Sequence, residues 1–361
     1  MTPQNKRLYD FLTDSKNSGS QPKIIAELSG NHNKSLKKAL NLVDAAAECG
    51  ADAIKLQTYT PDTITLNSSN KDFIVKNKKS IWYKKSLYSL YQEAYTPWSW
   101  LEKITIHAEQ NGLAWFSSPF DDSAVDFLQS FDPPCYKIAS PELIDIPLIK
   151  KCASTGKPLI MSTGMASISE IDMAYSVAKD AGCKNIVLLK CTSAYPSYPK
   201  DANVITIPNL SKTFNCRVGF SDHSPGIGAS LAAISMGANI IEKHFVMDRS
   251  EGGPDSLFSL EPNEMQSLVI EGKRAWQAIG EVKYGPVENE VPNLQGRRSL
   301  YIVRDVVKGE KISSENVKSI RPGYGIAPSN LEYIQNYTFV QDFKKGTALS
   351  WKHIISGDYS E

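Results

Sequence analysis

Two histidines stand just past short apolar runs: His223 in "GFSDHSPG" (219–226) and His244 in "IIEKHF" (240–245). The chain has five histidines in all, so two at the ends of consecutive apolar runs form a pattern that asks for chemistry. If the runs are adjacent strands, the two imidazoles converge. Two are fewer than the four protein ligands of a structural zinc site. They suit a catalytic divalent ion (Mn²⁺, with Mg²⁺ or Co²⁺ as alternatives) whose shell is completed by water and a substrate oxygen. The competing reading is a hydrogen-bonded structural pair. His32, in "SGNHN", is a loop residue without an assigned role, and His107 and His353 are read as structural.

Other apolar runs end in chemically useful groups as well. Glu27 closes the first, and Lys55 and Gln57, two apart and so on one face of a strand, close the second. Ser118, then Lys137 and Ser140, then Ser162, close the next three. Thr192, Ser193 and Tyr195 follow the sixth, and Ser221 precedes His223. Any one of the serines reads equally well as a helix cap. Lys55 and Lys137 are harder to set aside, because an ammonium inside an apolar run is costly without an anion. With the hydroxyls they predict a cradle for a small phosphorylated anion, strengthened by helix N-termini. A divalent ion beside such an anion fits Lewis-acid activation of a carbonyl in aldol-like or phosphate-releasing chemistry.

The elements that must position these groups recur eight times. The runs are 24–28, 53–58, 114–118, 135–140, 159–163, 186–192, 217–220 and 240–245, each followed by a helical pattern. "SLKKALNLVDAAAECG" places Leu36, Leu40, Val43 and Ala47 on one face, and Ser167 with Glu170 has capping-box spacing. Eight strand–helix units predict an α/β fold, a (β/α)₈ TIM barrel whose active site lies at the C-terminal ends of the strands. The runner-up, an open doubly wound sheet, lacks a GxGxxG after its first strand. The reading divides the chain into a polar N-terminal extension (1–22), a barrel (23–283), a linker (284–298) and a small β-rich domain with Lys-Gly turns (299–361). Residues 59–98 form an insertion too long for an ordinary βα loop, and such insertions on barrels usually shape the substrate site.

Composition excludes several classes. Lys+Arg 40 against Asp+Glu 39 announces no polyanion-binding face, and no nucleic-acid motif is present. No apolar stretch reaches membrane-spanning length and no leader-type apolar segment opens the chain, so a cytoplasmic protein is expected, neither membrane- nor nucleic-acid-bound. The six cysteines lack CxxC spacing and mostly sit in apolar runs, which predicts reduced thiols.

"IIAELSGNHN", "GADAIKLQTYTPD", "YKIASPELIDIPLIKKCASTGKPLIMSTGMAS", "CTSAYPS", "GFSDHSPG", "IEKHF" and "GGPDSLFSLEP" resemble the sialic acid synthase family over most of 23–330. "RRSLYIVRDVVKGEKISSENVKSIRPGYGI" resembles its appended antifreeze-like (SAF) domain. The resemblance implies metal-dependent condensation of phosphoenolpyruvate with an open-chain amino-sugar aldehyde, giving a nine-carbon 2-keto acid and phosphate. "LYSLYQEAYTPW" and "GGPDSLFSLEP" are most like the branch whose acceptor is 2,4-diacetamido-2,4,6-trideoxy-altrose. Acceptors of N-acetylneuraminate or legionaminate synthases are the near alternative. A metal-dependent barrel aldolase is a more distant one, and a carbohydrate-binding module on a scaffold barrel is the non-enzyme reading. By resemblance, phosphoenolpyruvate contacts fall at Lys55, Ser118, Lys137, Ser140, Ser162 and Ser221, and metal ligands at His223 and His244. Ser193 counts with the phosphoenolpyruvate contacts, although the family generally carries asparagine there. Sugar contacts fall at Glu27, Gln57, Glu142, Tyr195 and Asp255. Arg321, in "SIRPG", would reach the neighbouring subunit's site, which implies a domain-swapped homodimer. Bacterial surface glycans or flagellin are the implied destination of the product.

Overall fold

A computed structural model describes residues 1–14, 20–78 and 80–356. It divides into two compact units, Met1–Gly280 and Glu281–Glu361.

In the first unit eight parallel strands close into a barrel in chain order: β1 (Lys23–Glu27), β2 (Ala53–Thr58), β3 (Ala114–Pro119), β4 (Tyr136–Ile138), β5 (Leu159–Ser162), β6 (Ile186–Cys191), β7 (Arg217–Asp222) and β8 (Ile240–His244). Each falls on one of the eight expected runs. The helices are α1 (Pro3–Thr13), α2 (Leu36–Glu48), α3 (Pro61–Ile64), α4 (Leu87–Ala94), α5 (Leu101–Gln110), α6 (Asp122–Gln129), α7 (Ile146–Ser154), α8 (Ile168–Asp180), α9 (Thr206–Phe214), α10 (Gly228–Ser235) and α11 (Pro262–Ile279). Ser167 and Glu170 form the expected capping box at the start of α8.

Strand residues alternate between two cores, as a pleated strand requires. Ile24, Ala26, Ile54, Leu56, Trp115, Tyr136, Ile138, Met161, Leu188, Phe220 and Ile241 face the helices. Ile25, Ala53, Ala114, Phe116, Cys135, Ile160, Val187, Leu189 and Ile240 face the lumen.

The N-terminal segment departs from its reading as a polar extension. Leu8, Phe11 and Leu12, at helical spacing, make one apolar face of α1 and join the lumen cluster at its N-terminal end. Buried Asn5 fastens the plug, accepting from the Trp115 amide at 3.0 Å and donating to Glu109 at 3.2 Å. The 59–98 insertion is anchored at both ends. Buried Tyr59 packs edge-on against Tyr91 and Phe120, and Trp98 stacks on Phe127 at 4.6 Å.

The second unit holds two antiparallel pairs, β9 (Ser299–Ile302) with β10 (Val317–Ile320) and β11 (Tyr337–Phe339) with β12 (Ile354–Ser356). Leu300, Ile302, Val317, Phe339 and Leu349 are among its core residues. Its two Lys-Gly turns put Gly309 at φ 80° and Gly346 at φ 90°, where a side chain would be strained. The expected linker lies within this unit, and Glu288–Gly296 there is 3₁₀-helical.

Candidate active site

One step up each strand from the apolar lumen layer, the inward residues turn polar. Ile25 gives way to Glu27, Ala53 to Lys55 and Gln57, Phe116 to Ser118, Cys135 to Lys137, Ile160 to Ser162, and Ile240 to Glu242 and His244. Strand register brings Glu27 level with Lys55 on one side and with His244 on the other.

This layer is charged and buried. Lys55 Nζ lies 2.6 Å from Glu27 and 3.8 Å from Glu242; Lys137 Nζ lies 3.8 Å from the other oxygen of Glu242. Each lysine also has a serine: Lys55 donates to Ser118 at 3.4 Å and Lys137 to Ser162 at 2.7 Å. Ser221 donates to Glu242 at 3.1 Å. Glu27 and Glu242 already balance both buried ammonium groups within the chain. The two carboxyl groups are pushed apart. Burial raises Glu27 above its ordinary value against the pull of Lys55. Burial acts the same way on Glu242, but Lys137 and Lys55 together hold it below the ordinary range. Burial lowers Lys137.

From Glu27 a chain of contacts runs to the histidines. Gln57 donates to Glu27 at 2.9 Å and to Ser29 at 3.2 Å, Ser29 donates to Asp255, and Asp255 lies 3.7 Å from His244 Nδ1. The His223 and His244 ring centres are 5.3 Å apart. Thr192 O accepts from His223 Nδ1 at 3.1 Å, which in the neutral ring puts the lone pair on Nε2. Buried His244 Nδ1 has no hydrogen-bond partner. Burial, and then the charge of His223, keep His244 well below its ordinary pKa and so neutral. Neutral His244 thus keeps a lone pair for a ligand, while His223, whose pKa burial lowers but Cys191 and the Thr192 carbonyl carry above its ordinary value, offers Nε2 to a ligand in its neutral form. Among the described residues no group of three or more His, Cys, Asp or Glu forms a closed metal cage. An open two-histidine site completed by non-protein oxygen is what these residues fit.

Known proteins bear on this barrel and its lumen. Residues 42–284 match the NeuB family and residues 297–355 match the SAF domain. The chain belongs to the NeuB family. A pseudaminic acid synthase of Campylobacter jejuni is 44% identical over 90% of this chain and 94% of that protein. One of Helicobacter pylori is 40% identical over 91% of this chain and 96% of that protein. The crystal structure of an N-acetylneuraminic acid synthetase from Leptospira borgpetersenii, in complex with citrate, superposes with a TM-score of 0.68 at 32% identity, covering 77% of this chain and 92% of that one.

Within this NeuB-family barrel the remaining expected residues gather at the same mouth. The Ser140 hydroxyl accepts from the Gly164 amide at 3.0 Å. A Cβ at Gly164 would collide with the Ser193 hydroxyl and lie 2.7 Å from that of Ser140, so the missing side chain keeps a small hydroxyl-lined space open. Burial raises the Glu142 carboxyl to about 7, and its Oε2 makes no hydrogen bond. The Tyr195 ring packs on His223 at 4.5 Å and on Phe258 at 5.3 Å. Arg321 belongs to the second unit. His32 anchors its loop, hydrogen-bonded to Thr96 at 3.0 Å, and His107 pairs with Asp44 at 2.6 Å.

Three participants escaped the sequence reading. Glu242 carried a signal: it is a carboxylate inside an apolar run, two residues before His244 and in the same inward phase. Ser29 and Phe258 carried none, because tertiary packing alone brings them in. Trp82, from the insertion expected to shape the substrate site, lies over Tyr195 at 5.7 Å and donates to Pro254 O at 3.0 Å.

Proposed function

We propose that the chain is a pseudaminic acid synthase, joining phosphoenolpyruvate and water to 2,4-diacetamido-2,4,6-trideoxy-altrose and releasing phosphate. The observation that carries this reading is the continuous polar layer from Lys137 to His244, inside a NeuB-family barrel 40–44% identical to two proteins of that name.

Lys55 and Lys137, with Ser118, Ser140, Ser162, Ser193 and Ser221, hold the phosphate and carboxylate of phosphoenolpyruvate. The two ammonium and two carboxylate groups sum to zero, so an arriving anion is accommodated by protonating Glu27, the carboxyl already pushed upward. C3 of phosphoenolpyruvate then bonds to the aldehyde carbon, water adds at C2, and phosphate leaves with its bridging oxygen. Glu27 is placed to pass its proton to the former aldehyde oxygen, with Glu142 as the second candidate. Holding both substrates in one dry lumen makes the encounter effectively intramolecular. Gln57, Asp255, Glu142 and Tyr195 orient the sugar. The Tyr195–Trp82 wall suits an acceptor richer in methyl groups than N-acetylmannosamine.

His223 and His244 would hold a divalent ion, Mn²⁺ or else Mg²⁺ or Co²⁺, which when bound supplies Lewis-acid polarisation of the acceptor carbonyl. Arg321 would complete the acceptor site of a second copy, making the enzyme a domain-swapped homodimer. A cytoplasmic location suits its use of phosphoenolpyruvate. No helix among the described residues is long and apolar enough to cross a membrane.

The test is phosphate release from phosphoenolpyruvate after chelation and after Mn²⁺ is restored, with the diacetamido sugar and N-acetylmannosamine offered in parallel. Metal-dependent release with the first alone is expected. Release with N-acetylmannosamine alone would overturn the acceptor, and release with chelated enzyme would overturn the metal.

A further inference from the structure

Asp222 and Lys243 each immediately precede one of the two lumen histidines, and by alternation each points away from the lumen. They are register partners across β7 and β8, and their charged ends meet at 2.9 Å with side chains 1% and 0% exposed. The pair is tied in further. Asp222 accepts from the Ser224 amide at 2.8 Å, from the Ser224 hydroxyl at 2.6 Å and from Ser230 of α10 at 2.7 Å. Lys243 Nζ donates to the Ser224 carbonyl. The chain on both sides of His223 is thereby clamped to α10 and to the strand that carries His244.

Neither residue can touch a substrate from that side of the sheet. Nearby outward positions of the same strands, Val218, Phe220 and Ile241, are apolar and belong to the barrel–helix core. A buried ion pair is on average no better for stability than apolar side chains of the same volume, so stability alone does not account for this one. What it does supply is directional: four bonds converging on the residues that flank the histidines.

We propose that the Asp222–Lys243 pair is a positioning device that fixes the separation and aim of His223 and His244 for a divalent metal ion. This rests on the metal reading above. Metal sites tolerate ligand displacements of only about 0.2 Å, and loss of supporting partners commonly weakens binding roughly 10–100-fold.

The experiment titrates Mn²⁺ into metal-free full-length protein without substrates, following free Mn²⁺ by electron paramagnetic resonance. Circular dichroism and thermal unfolding run in parallel on the same samples. The double variant Asp222→Asn/Lys243→Met keeps both volumes and leaves no unpaired charge. It is expected to remain folded and to bind Mn²⁺ about 10–100-fold more weakly, with affinity for phosphoenolpyruvate little changed. A folded double variant with wild-type Mn²⁺ affinity would overturn the proposal. Ser230→Ala covers the case in which the double variant does not fold. It removes one bond to Asp222 without touching charge, and Mn²⁺ binding roughly threefold to tenfold weaker is expected. Wild-type affinity in Ser230→Ala would count equally against the pair. A wild-type protein that binds no Mn²⁺ would instead overturn the histidine metal site itself.

Discussion

The floor and the mouth of this barrel are built by the same eight strands, and along any strand they lie two residues, about 6.6 Å, apart. The floor is mainly apolar and closed from below by Leu8, Phe11 and Leu12 of α1. The mouth carries two lysines, two glutamates and a histidine pair, almost all buried. Groups so charged are unstable in a dry interior unless each faces a partner, and here Lys55, Lys137, Glu27 and Glu242 partner one another. The floor gains by excluding water; the mouth uses that exclusion, because charge interactions strengthen where water is scarce. Folding stability and chemistry are thus separated by one pleat.

Substitutions in the two layers should therefore fail in different ways. Lys137→Met should lower kcat/KM for phosphoenolpyruvate about 10³-fold, in the range for losing a key charged donor. Its unfolding midpoint should fall less than that of a floor variant, since burial already disfavours that charge and Glu242 keeps Lys55 and Ser221 as partners. A large loss of stability there would erase the distinction. Phe11→Ala, on the floor, should cost about 3–5 kcal/mol of stability while turnover per folded molecule stays near wild type. Inactivity in folded Phe11→Ala would break the comparison from the other side. Gly164→Ala should raise KM for phosphoenolpyruvate about tenfold by crowding the Ser140 and Ser193 hydroxyls, with the acceptor KM less affected.

The smallest effect sharpens the comparison through pH. Glu142 is held at about 7 against an ordinary 4.5, so its ionisation works against the folded state. Below about pH 4.5 it is neutral folded and unfolded, and Glu142→Gln should change nothing through this group. Between there and about pH 7 the wild type should lose stability relative to the variant, and above that the gap should level off. Unfolding midpoints measured from pH 4 to 8.5 would test this, and a gap that shrinks as pH rises would contradict it.

Much of this arrangement is legible in the residues. Eight alternations of apolar run and helical pattern predict the barrel, the period of two along a strand puts Lys55 and Gln57 on one face, and Lys55, Lys137, His223 and His244 stand out as polar groups in or beside apolar runs. What stays hidden depends on long-range packing. The apolar face of α1 is three residues in a polar segment, and only the open floor of a barrel makes it a plug. Ser29 joins the site through a loop whose course no local pattern encodes. Glu242 was readable but was masked by its neighbours: beside two unpaired lysines its carboxylate is the natural partner, and only strand register shows that all three meet.

The most direct test of the mouth's chemistry follows an oxygen atom. Phosphoenolpyruvate carrying ¹⁸O in its bridging position would be incubated with the protein, Mn²⁺ and 2,4-diacetamido-2,4,6-trideoxy-altrose, and both products weighed by mass spectrometry. The account predicts a nine-carbon 2-keto acid without label and phosphate that carries it. Label retained in the keto acid, or no condensation product, would contradict it.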